Sequence, residues 1–165
     1  MLQNFSYQAP ETLKDLYALL NKSNGKAAML AGGTDLLVSM HNNWISPESL
    51  IDIKKIPDLK GVTFNPKTGL SIGATTVCIE LINNKDVNKH YPLLVEAAHH
   101  VASPQVRSRA TIAGNLCTAS PCADMGCSLL ALGASVELGS ADGVRVIPLK
   151  DFFTGPKKTQ IKKHE

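Results

Sequence analysis

Two adjacent glycines between a short apolar run and an amphipathic run constrain this chain more than any other feature. Residues 27–30 read Ala-Ala-Met-Leu, Gly32 and Gly33 follow, and apolar side chains return at Leu36. Because glycine adopts positive φ without steric cost, the pattern predicts a strand, a glycine turn and a helix, with Thr34 as the N-cap. Such a turn gathers backbone N–H groups near a helix N-terminus, where the helix dipole favours an anion such as a phosphate.

Taken alone, this turn does not identify a ligand. An empty strand-to-helix turn is the more frequent explanation of an isolated Gly-Gly pair, since short glycine motifs match many unrelated sequences. The nucleotide-binding patterns G-x-x-x-x-G-K-S/T and G-x-G-x-x-G are both absent from the 165 residues. The sequence therefore disfavours a P-loop NTPase and an ordinary Rossmann domain.

Helical and strand patterns alternate along the rest of the chain. Helical spacing of apolar residues occurs in three stretches, at residues 10–20, 92–101 and about 121–132. Strand patterns occur at residues 49–53, 62–64, 70–73, 135–138 and 144–147. This mixture predicts an α+β fold. A polar stretch at residues 83–86 is the best candidate for a boundary, which divides the chain into a first lobe, residues 1–84, and a second lobe, residues 85–165.

The net charge of +3 does not indicate nucleic-acid binding. Residues 157–165 contain four Lys and one Glu, which leaves 13 basic and 13 acidic side chains in residues 1–156. No basic stripe interleaved with aromatic residues is present, so no electrostatic footprint for DNA or RNA is found. The sequence also has no apolar run of membrane-spanning length and no secretory signal pattern, which predicts a cytoplasmic protein without a membrane segment.

A second stretch of small residues supplies the context that the first turn lacks. Residues 102–115 read ASPQVRSRATIAGN, and residues 119–124 read ASPCAD. A loop this long, predicted as non-helical, is more often functional than idle. Together with AGGTDL at residues 31–36, these motifs resemble the FAD-binding subunits and domains of the molybdenum hydroxylases, the family of xanthine dehydrogenase and the carbon monoxide dehydrogenase medium subunit. Because the three motifs occur in the family's order and the resemblance extends to about residue 159, FAD binding becomes the favoured interpretation.

The resemblance implies a fold and a set of contacts. The fold is α+β in two lobes, of the type shared by p-cresol methylhydroxylase and vanillyl-alcohol oxidase, with FAD between the lobes. The contacts carried over by motif involve Met29, Leu30, Ala31, Gly32, Gly33, Thr34, Asp35, Leu36, Val101, Thr111, Ile112, Ala113, Gly114, Asn115 and Asp124.

By the same resemblance, these residues have different roles toward FAD. The N–H groups of Ala31 to Thr34 are expected to face the pyrophosphate, with the Thr34 hydroxyl as a further donor. Asp35 and Leu36 are expected on the flavin side, and Asp124 on the adenosine side. The second segment, residues 111–115, contributes main-chain N–H groups and the Thr111 hydroxyl.

Two departures from the family pattern lead to further expectations. Ala113 stands where the family often has glycine, so Gly114 is expected to take any strained backbone conformation. Family members also continue well past residue 159, whereas this chain has 165 residues. The second lobe is therefore expected to be incomplete and the C-terminal domain of the family to be absent.

The remaining reactive side chains favour structural roles. Cys117, Cys122 and Cys127 are spaced C-x₄-C-x₄-C, which matches neither the common zinc nor the common ferredoxin patterns, so buried free thiols are predicted. Arg107 is expected to brace the loop or a partner subunit, and Arg109 likewise. No catalytic residue and no metal ligand is assigned in the chain.

The functional hypothesis follows from the resemblance. It implies an oxidoreductase component that carries FAD, with a molybdopterin-binding large subunit and a [2Fe–2S] small subunit as partners. Electrons pass from the iron–sulfur clusters to FAD and then to NAD or another acceptor, while substrate chemistry takes place on another subunit. The alternative is a truncated, non-catalytic module that binds a nucleotide or only a partner subunit.

Overall fold

The computed structural model describes residues 4–165; residues 1–3, with which the predicted first lobe begins, lie outside the described residues. The strands are β1 Ser6–Gln8, β2 Ala27–Leu30, β3 Ser49–Asp52, β4 Val62–Asn65, β5 Gly69–Ile72, β6 Ser135–Ser140, β7 Gly143–Pro148, β8 Phe153–Gly155 and β9 Lys158–Thr159. The α-helices are α1 Leu13–Ser23, α2 Leu36–His41, α3 Cys78–Asn83, α4 Lys85–His90, α5 Pro92–His100, α6 Pro104–Arg107, α7 Ile112–Thr118, α8 Asp124–Ala131 and α9 Leu149–Phe152. Two 3₁₀ turns follow β3, at Ile53–Lys55 and Pro57–Leu59. The predicted α+β fold is confirmed.

The first part of the chain forms a three-stranded parallel sheet. The strand order is β1-β3-β2, and β3 pairs in parallel with both neighbours, for example Tyr7 with Leu50 and Leu30 with Asp52. Parallel strands need a crossover, which α1 provides between β1 and β2. All three strands therefore end at one edge of the sheet, and the first glycine turn starts at that edge.

Helix α1 covers this sheet with its apolar face. It begins at Leu13 rather than near Pro10, because the Thr12 hydroxyl accepts the Asp15 N–H at 3.1 Å and so caps the helix. Leu16 and Leu20 of α1 are buried in a cluster completed by Ile51, Ile53 and Ile56. This cluster is the core of the first part of the chain.

A second and larger core lies among the helices that follow. Leu81, Leu94, Met125, Leu149 and Phe152 are each at most 1 % exposed there, and complete burial of one such side chain stabilises the fold by about 2 kcal/mol. The hairpin of β4 and β5 packs on the same core. Packing thus favours a boundary near residue 60, while the predicted lobe division after residue 84 stays a prediction.

Residues 102–115 are not the extended loop that the sequence predicted. They contain α6 and the beginning of α7, because the Ser103 hydroxyl accepts the Val106 N–H at 3.3 Å and the Thr111 hydroxyl accepts the Gly114 N–H at 3.0 Å. Small polar residues favour both loops and N-caps, and here they are N-caps.

The two parts of the chain touch away from the sheet edge as well. The Lys157 ammonium lies 5.6 Å from the centre of the Trp44 ring. The Tyr17 hydroxyl packs so closely on Gly139 of β6 that a Cβ there would lie 2.2 Å from it. Among residues 4–165, no helix has both the length and the apolar character needed to cross a membrane.

Candidate functional site

The first glycine segment, residues 31–35, links the carboxyl end of β2 to α2. Gly33 has φ +79°, in the left-handed region that favours glycine. The helical ladder starts there, since the Leu37 N–H donates to the Gly33 carbonyl at 3.1 Å. Thr34 is not the N-cap as predicted; Asp35 occupies that position, and its side chain makes no capping hydrogen bond.

This arrangement leaves a row of backbone donors without partners. Within residues 4–165, none of the N–H groups of residues 32–36 donates to an acceptor of the chain. Gly32, Gly33 and Thr34 are only partly exposed. Unpaired N–H groups in such a position need an external acceptor, which water or an anionic ligand supplies.

The other glycine of this segment is required by a close approach of the backbone. A Cβ on Gly32 would lie 2.1 Å from the carbonyl oxygen of Arg109 and 3.1 Å from Ala110 Cα. Only glycine permits this contact, because the colliding atoms belong to the main chain and cannot rotate away. The structure therefore packs the first segment, at Gly32, against Arg109 and Ala110, which immediately precede the second segment.

The second segment, residues 111–115, is a helix N-terminus rather than a turn. Ala113 and Gly114 both lie in α7, and neither has positive φ. The expectation that Gly114 carries a strained conformation is wrong, and Ala113 is accommodated because helical residues have negative φ. The Ile112 N–H donates to Thr76 at 3.2 Å and the Asn115 N–H to Thr111 at 3.0 Å.

Most N–H groups of the second segment therefore donate hydrogen bonds within the chain, but one side-chain oxygen of the segment accepts none. Asn115 Oδ1 is buried and has no hydrogen-bond donor among the described residues. A buried unpaired oxygen costs about 1–3 kcal/mol, so a ligand that donates a hydrogen bond at this point would relieve that cost. The Thr111 hydroxyl, which already accepts from Gly114, still has a proton to donate.

The other predicted contact residues lie around these segments with different exposure. Met29 is 36 % exposed on β2, whereas Val101, the residue after α5, is 6 % exposed. Asp124 begins α8 and lines an open groove of about 530 Å³ between α5 and α8. No residue of either glycine segment lines that groove.

Arg107 is held by hydrogen bonds to the main chain, and the cysteines form no disulfides among the described residues. Arg107 Nη1 donates to the carbonyls of His99, Val101 and Ala102 at 2.9–3.0 Å, which agrees with the predicted bracing role. The four cysteines, Cys78, Cys117, Cys122 and Cys127, are free thiols.

The prediction that Cys117, Cys122 and Cys127 are buried is wrong, because all three are exposed. The neighbouring residues Leu116 and Met125 fill the core instead. Although the Cys117 side chain reaches solvent, protein atoms surround it on most sides, and this desolvation raises the pKa of its thiol to about 11.

Sequence reasoning missed three side chains beneath the first turn. Tyr7, Asp52 and Lys54 form a hydrogen-bonded chain that ends on the Ala31 carbonyl. A signal was present, since Asp52 is the last residue of a strand whose carboxyl end lies beside the glycine turn, and a basic residue follows two positions later. Recognising it required knowing that β3 is the central strand.

This chain is similar to known proteins in both sequence and fold. It is 36 % identical over 160 residues to the xanthine dehydrogenase FAD-binding subunit of Escherichia coli O157:H7, covering 97 % of this chain and 54 % of that protein. It is 38 % identical over 161 residues to the carbon monoxide dehydrogenase medium chain of Hydrogenophaga pseudoflava, covering 98 % and 56 %. A solved structure of carbon monoxide dehydrogenase from that organism superimposes with a TM-score of 0.96 at 37 % identity, over 99 % of this chain and 57 % of the other.

The extent of these matches confirms the family predicted from the three motifs. The chain spans about half the length of the curated relatives it matches. The family model described as the FAD binding domain in molybdopterin dehydrogenase covers residues 3–165. The chain therefore belongs to the family of FAD-binding domains of the molybdopterin dehydrogenases.

Proposed function

We propose that this chain binds FAD and serves as the electron-transferring FAD subunit of a molybdopterin-containing dehydrogenase. The observation that carries the proposal is the row of unpaired N–H groups at residues 32–36, fixed by the contact of Gly32 with Arg109 just before the second segment. Backbone donors arranged in this way suit a pyrophosphate. Membership of an FAD-binding family makes the pyrophosphate of FAD the natural ligand.

Each segment has its own part in holding the cofactor. The N–H groups of Ala31 to Thr34 bind the pyrophosphate, and Asp35 and Leu36 extend toward the flavin. The second segment, residues 111–115, adds the Thr111 hydroxyl and the unpaired Asn115 Oδ1, both of which suit hydroxyl groups of the cofactor. Asp124 lies toward the adenosine, and the remaining predicted contacts support these groups by packing.

The chain's own residues bind and orient the cofactor, while the redox chemistry comes from FAD when it is bound. Relatives of similar identity are named for xanthine dehydrogenase, carbon monoxide dehydrogenase and nicotinate dehydrogenase. Their substrates differ chemically although this domain is shared, which fits a subunit that handles electrons rather than substrate. The partners are then a molybdopterin-binding large subunit and a [2Fe–2S] small subunit, with NAD or another molecule as the acceptor.

Reconstitution with FAD tests the proposal directly. The purified chain is mixed with FAD, separated from free cofactor by gel filtration and examined for flavin absorbance. Retained flavin that ADP displaces supports binding through the pyrophosphate segments. If the wild-type chain takes up no FAD, the proposal is wrong and the non-catalytic subunit-interaction module is favoured.

The electron acceptor needs a separate experiment. FAD bound to the chain is reduced chemically, and NAD⁺ is then added without oxygen. Reoxidation of the flavin with formation of NADH supports NAD as the acceptor. A flavin that stays reduced with NAD⁺ but is reoxidised by another acceptor contradicts it.

A further inference from the structure

Three side chains connect the strands of the parallel sheet to the backbone of the first glycine turn. The Tyr7 hydroxyl on β1 donates to Asp52 Oδ2 at 2.5 Å, and Lys54 Nζ lies 2.8 Å from Asp52 Oδ1. The same Lys54 Nζ donates to the Ala31 carbonyl oxygen at 3.3 Å. The network runs along the carboxyl edge of the sheet, from β1 across β3 to the residue after β2.

Asp52 fixes the position of the Lys54 ammonium. It is 7 % exposed, it pairs in register with Leu30, and its Oδ1 also accepts the Lys54 backbone N–H at 3.0 Å. Burial alone raises the pKa of Asp52, but the hydrogen bonds from Lys54 and Tyr7 outweigh burial and bring the pKa below its ordinary value. Asp52 is therefore a carboxylate at neutral pH, and the ammonium is held by an ionised partner.

The position of the Ala31 carbonyl determines the direction of the next N–H group. Ala31 and Gly32 share a planar trans peptide, in which the C=O and the N–H point in opposite directions. Because Lys54 holds the carbonyl on its own side, the Gly32 N–H is directed to the other side of the turn. The arrangement also keeps a carbonyl oxygen, which would repel an anion, bound to a cation.

We propose that Lys54, held by Asp52 and Tyr7, is a positioning residue for the anion-binding turn. It acts through the Ala31 carbonyl, which keeps the Gly32 N–H available for the pyrophosphate. This inference rests on the proposed FAD function and adds a residue that lies outside all three sequence motifs. If Lys54 only stabilised the sheet, its replacement would change the stability of the fold. If Lys54 positions the turn, its replacement changes the affinity for pyrophosphate.

Replacement of one of two neighbouring lysines separates these roles. Lys54→Met removes the cation beneath the turn, and Lys55→Met removes one at the surface, where the Lys55 ammonium lies 3.9 Å from Glu11. Dissociation constants for FAD and for ADP are measured with the full chain. Lys54→Met is expected to weaken both ligands by the same factor, about 10-fold to 100-fold, as for loss of a hydrogen bond to a charged group. Lys55→Met is expected to leave both unchanged.

Rescue and folding controls complete the experiment. Lys54→Arg keeps a donor near Ala31 and is expected to restore most of the affinity, which simple loss of sheet packing does not predict. If Lys54→Met does not fold, Tyr7→Phe replaces it. This variant removes one hydroxyl from a side chain that is 58 % exposed, and it is expected to weaken FAD binding about threefold.

The possible outcomes distinguish this inference from the proposed function. A wild-type chain that binds FAD, with Lys54→Met or its substitute Tyr7→Phe binding equally well, overturns the positioning role and leaves the proposed function intact. Equal loss of affinity in Lys54→Met and Lys55→Met also overturns it, because net charge would then explain the effect. A wild-type chain that binds no FAD overturns both.

Discussion

The first segment, residues 31–35, and the second, residues 111–115, both lead into short helices, but glycine serves a different purpose in each. In the first, Gly33 takes φ +79° and Gly32 admits the main chain of Arg109. In the second, the backbone is helical throughout, and a Cβ on Gly114 would meet only the Thr111 hydroxyl, at 2.7 Å. The first segment requires glycine for its backbone, whereas the second requires only a small residue beside a capping side chain.

The two segments also differ in how many donors they leave free. The Asp35 side chain does not cap α2, so the N–H groups of residues 32–36 stay unpaired within the described chain. In the second segment Thr76 and Thr111 take up three of the N–H groups. We therefore expect pyrophosphate affinity to reside mainly in the first segment, with the second supplying side-chain contacts.

The largest effect is expected when the first segment is forced away from Arg109. In Gly32→Ala the new Cβ meets a carbonyl oxygen at 2.1 Å, and no side-chain rotation relieves the collision. We expect a loss of about 3 kcal/mol in the free energy of unfolding, as for severe overpacking, together with loss of FAD retention. Urea denaturation and gel filtration with FAD measure the two quantities.

Gly126→Ala is the matched control for this prediction. Gly126 lies in α8, and the nearest neighbour of a Cβ there is a Phe153 ring carbon at 3.9 Å. Because alanine favours a helix over glycine, this variant is expected to gain about 0.5–1 kcal/mol. Wild-type stability in Gly32→Ala would show that the contact with Arg109 does not hold the segments in place.

A smaller effect is expected when only the left-handed conformation is opposed. Gly33→Ala places a Cβ at φ +79°, 2.9 Å from a Leu30 methyl that can move. The expected cost in unfolding free energy is about 2 kcal/mol, accompanied by weaker FAD binding. Chemical denaturation and titration with FAD measure both.

Gly133→Ala isolates the conformational part of that cost. Gly133 has φ +66°, and a Cβ there would meet nothing within 4 Å. Its expected cost is about 1 kcal/mol, without change in FAD affinity. An equal loss of FAD affinity in both variants would mean that global destabilisation, rather than the shape of the first segment, governs binding.

The difference between the two segments also shows which features could be predicted from the sequence. The strand at residues 27–30, the turn after it and the family were all readable from local patterns and three linked motifs. The requirement for glycine at position 32 could not be predicted from the sequence. It arises from a contact with Arg109, which is distant in sequence. The roles of Tyr7 and Lys54 depend likewise on which strand is central in the sheet.

The wrong predictions for residues 102–117 have a different physical origin. The sequence predicts Ser103 and Thr111 as loop residues, yet each hydroxyl caps a helix. A sequence of small polar residues does not distinguish these possibilities, since the same side chains stabilise turns and helix N-termini. The burial predicted for Cys117 rested on the general preference of cysteine for the protein interior, whereas its position on α7 leaves the side chain exposed.

Two threonine caps, Thr111, which is buried, and Thr12, which is exposed, test whether the second segment contributes less than the first. The Thr111 hydroxyl caps α7 at 3.0 Å and the Thr12 hydroxyl caps α1 at 3.1 Å. Replacing either by Ala is expected to cost about 1 kcal/mol of unfolding free energy. Only Thr111→Ala is expected to weaken FAD binding, and by less than Gly33→Ala. Complete loss of FAD in Thr111→Ala would contradict the conclusion that the first segment dominates.

The smallest perturbation is chemical labelling of Cys117, which leaves the sequence unchanged. Its side chain lies on α7, one turn after Gly114, and desolvation raises the pKa of its thiol from 9.0 to about 11. Since only the thiolate reacts with iodoacetamide, the labelling rate should rise about tenfold per pH unit below that pKa, and it should still rise above pH 9.0. Mass spectrometry of the Cys117 peptide measures the rate, and a plateau near pH 9.0 would show an ordinary thiol.

If FAD lies over the second segment as well as the first, adding it slows this labelling, whereas an unchanged rate with FAD bound would confine the cofactor to the first segment and its neighbours.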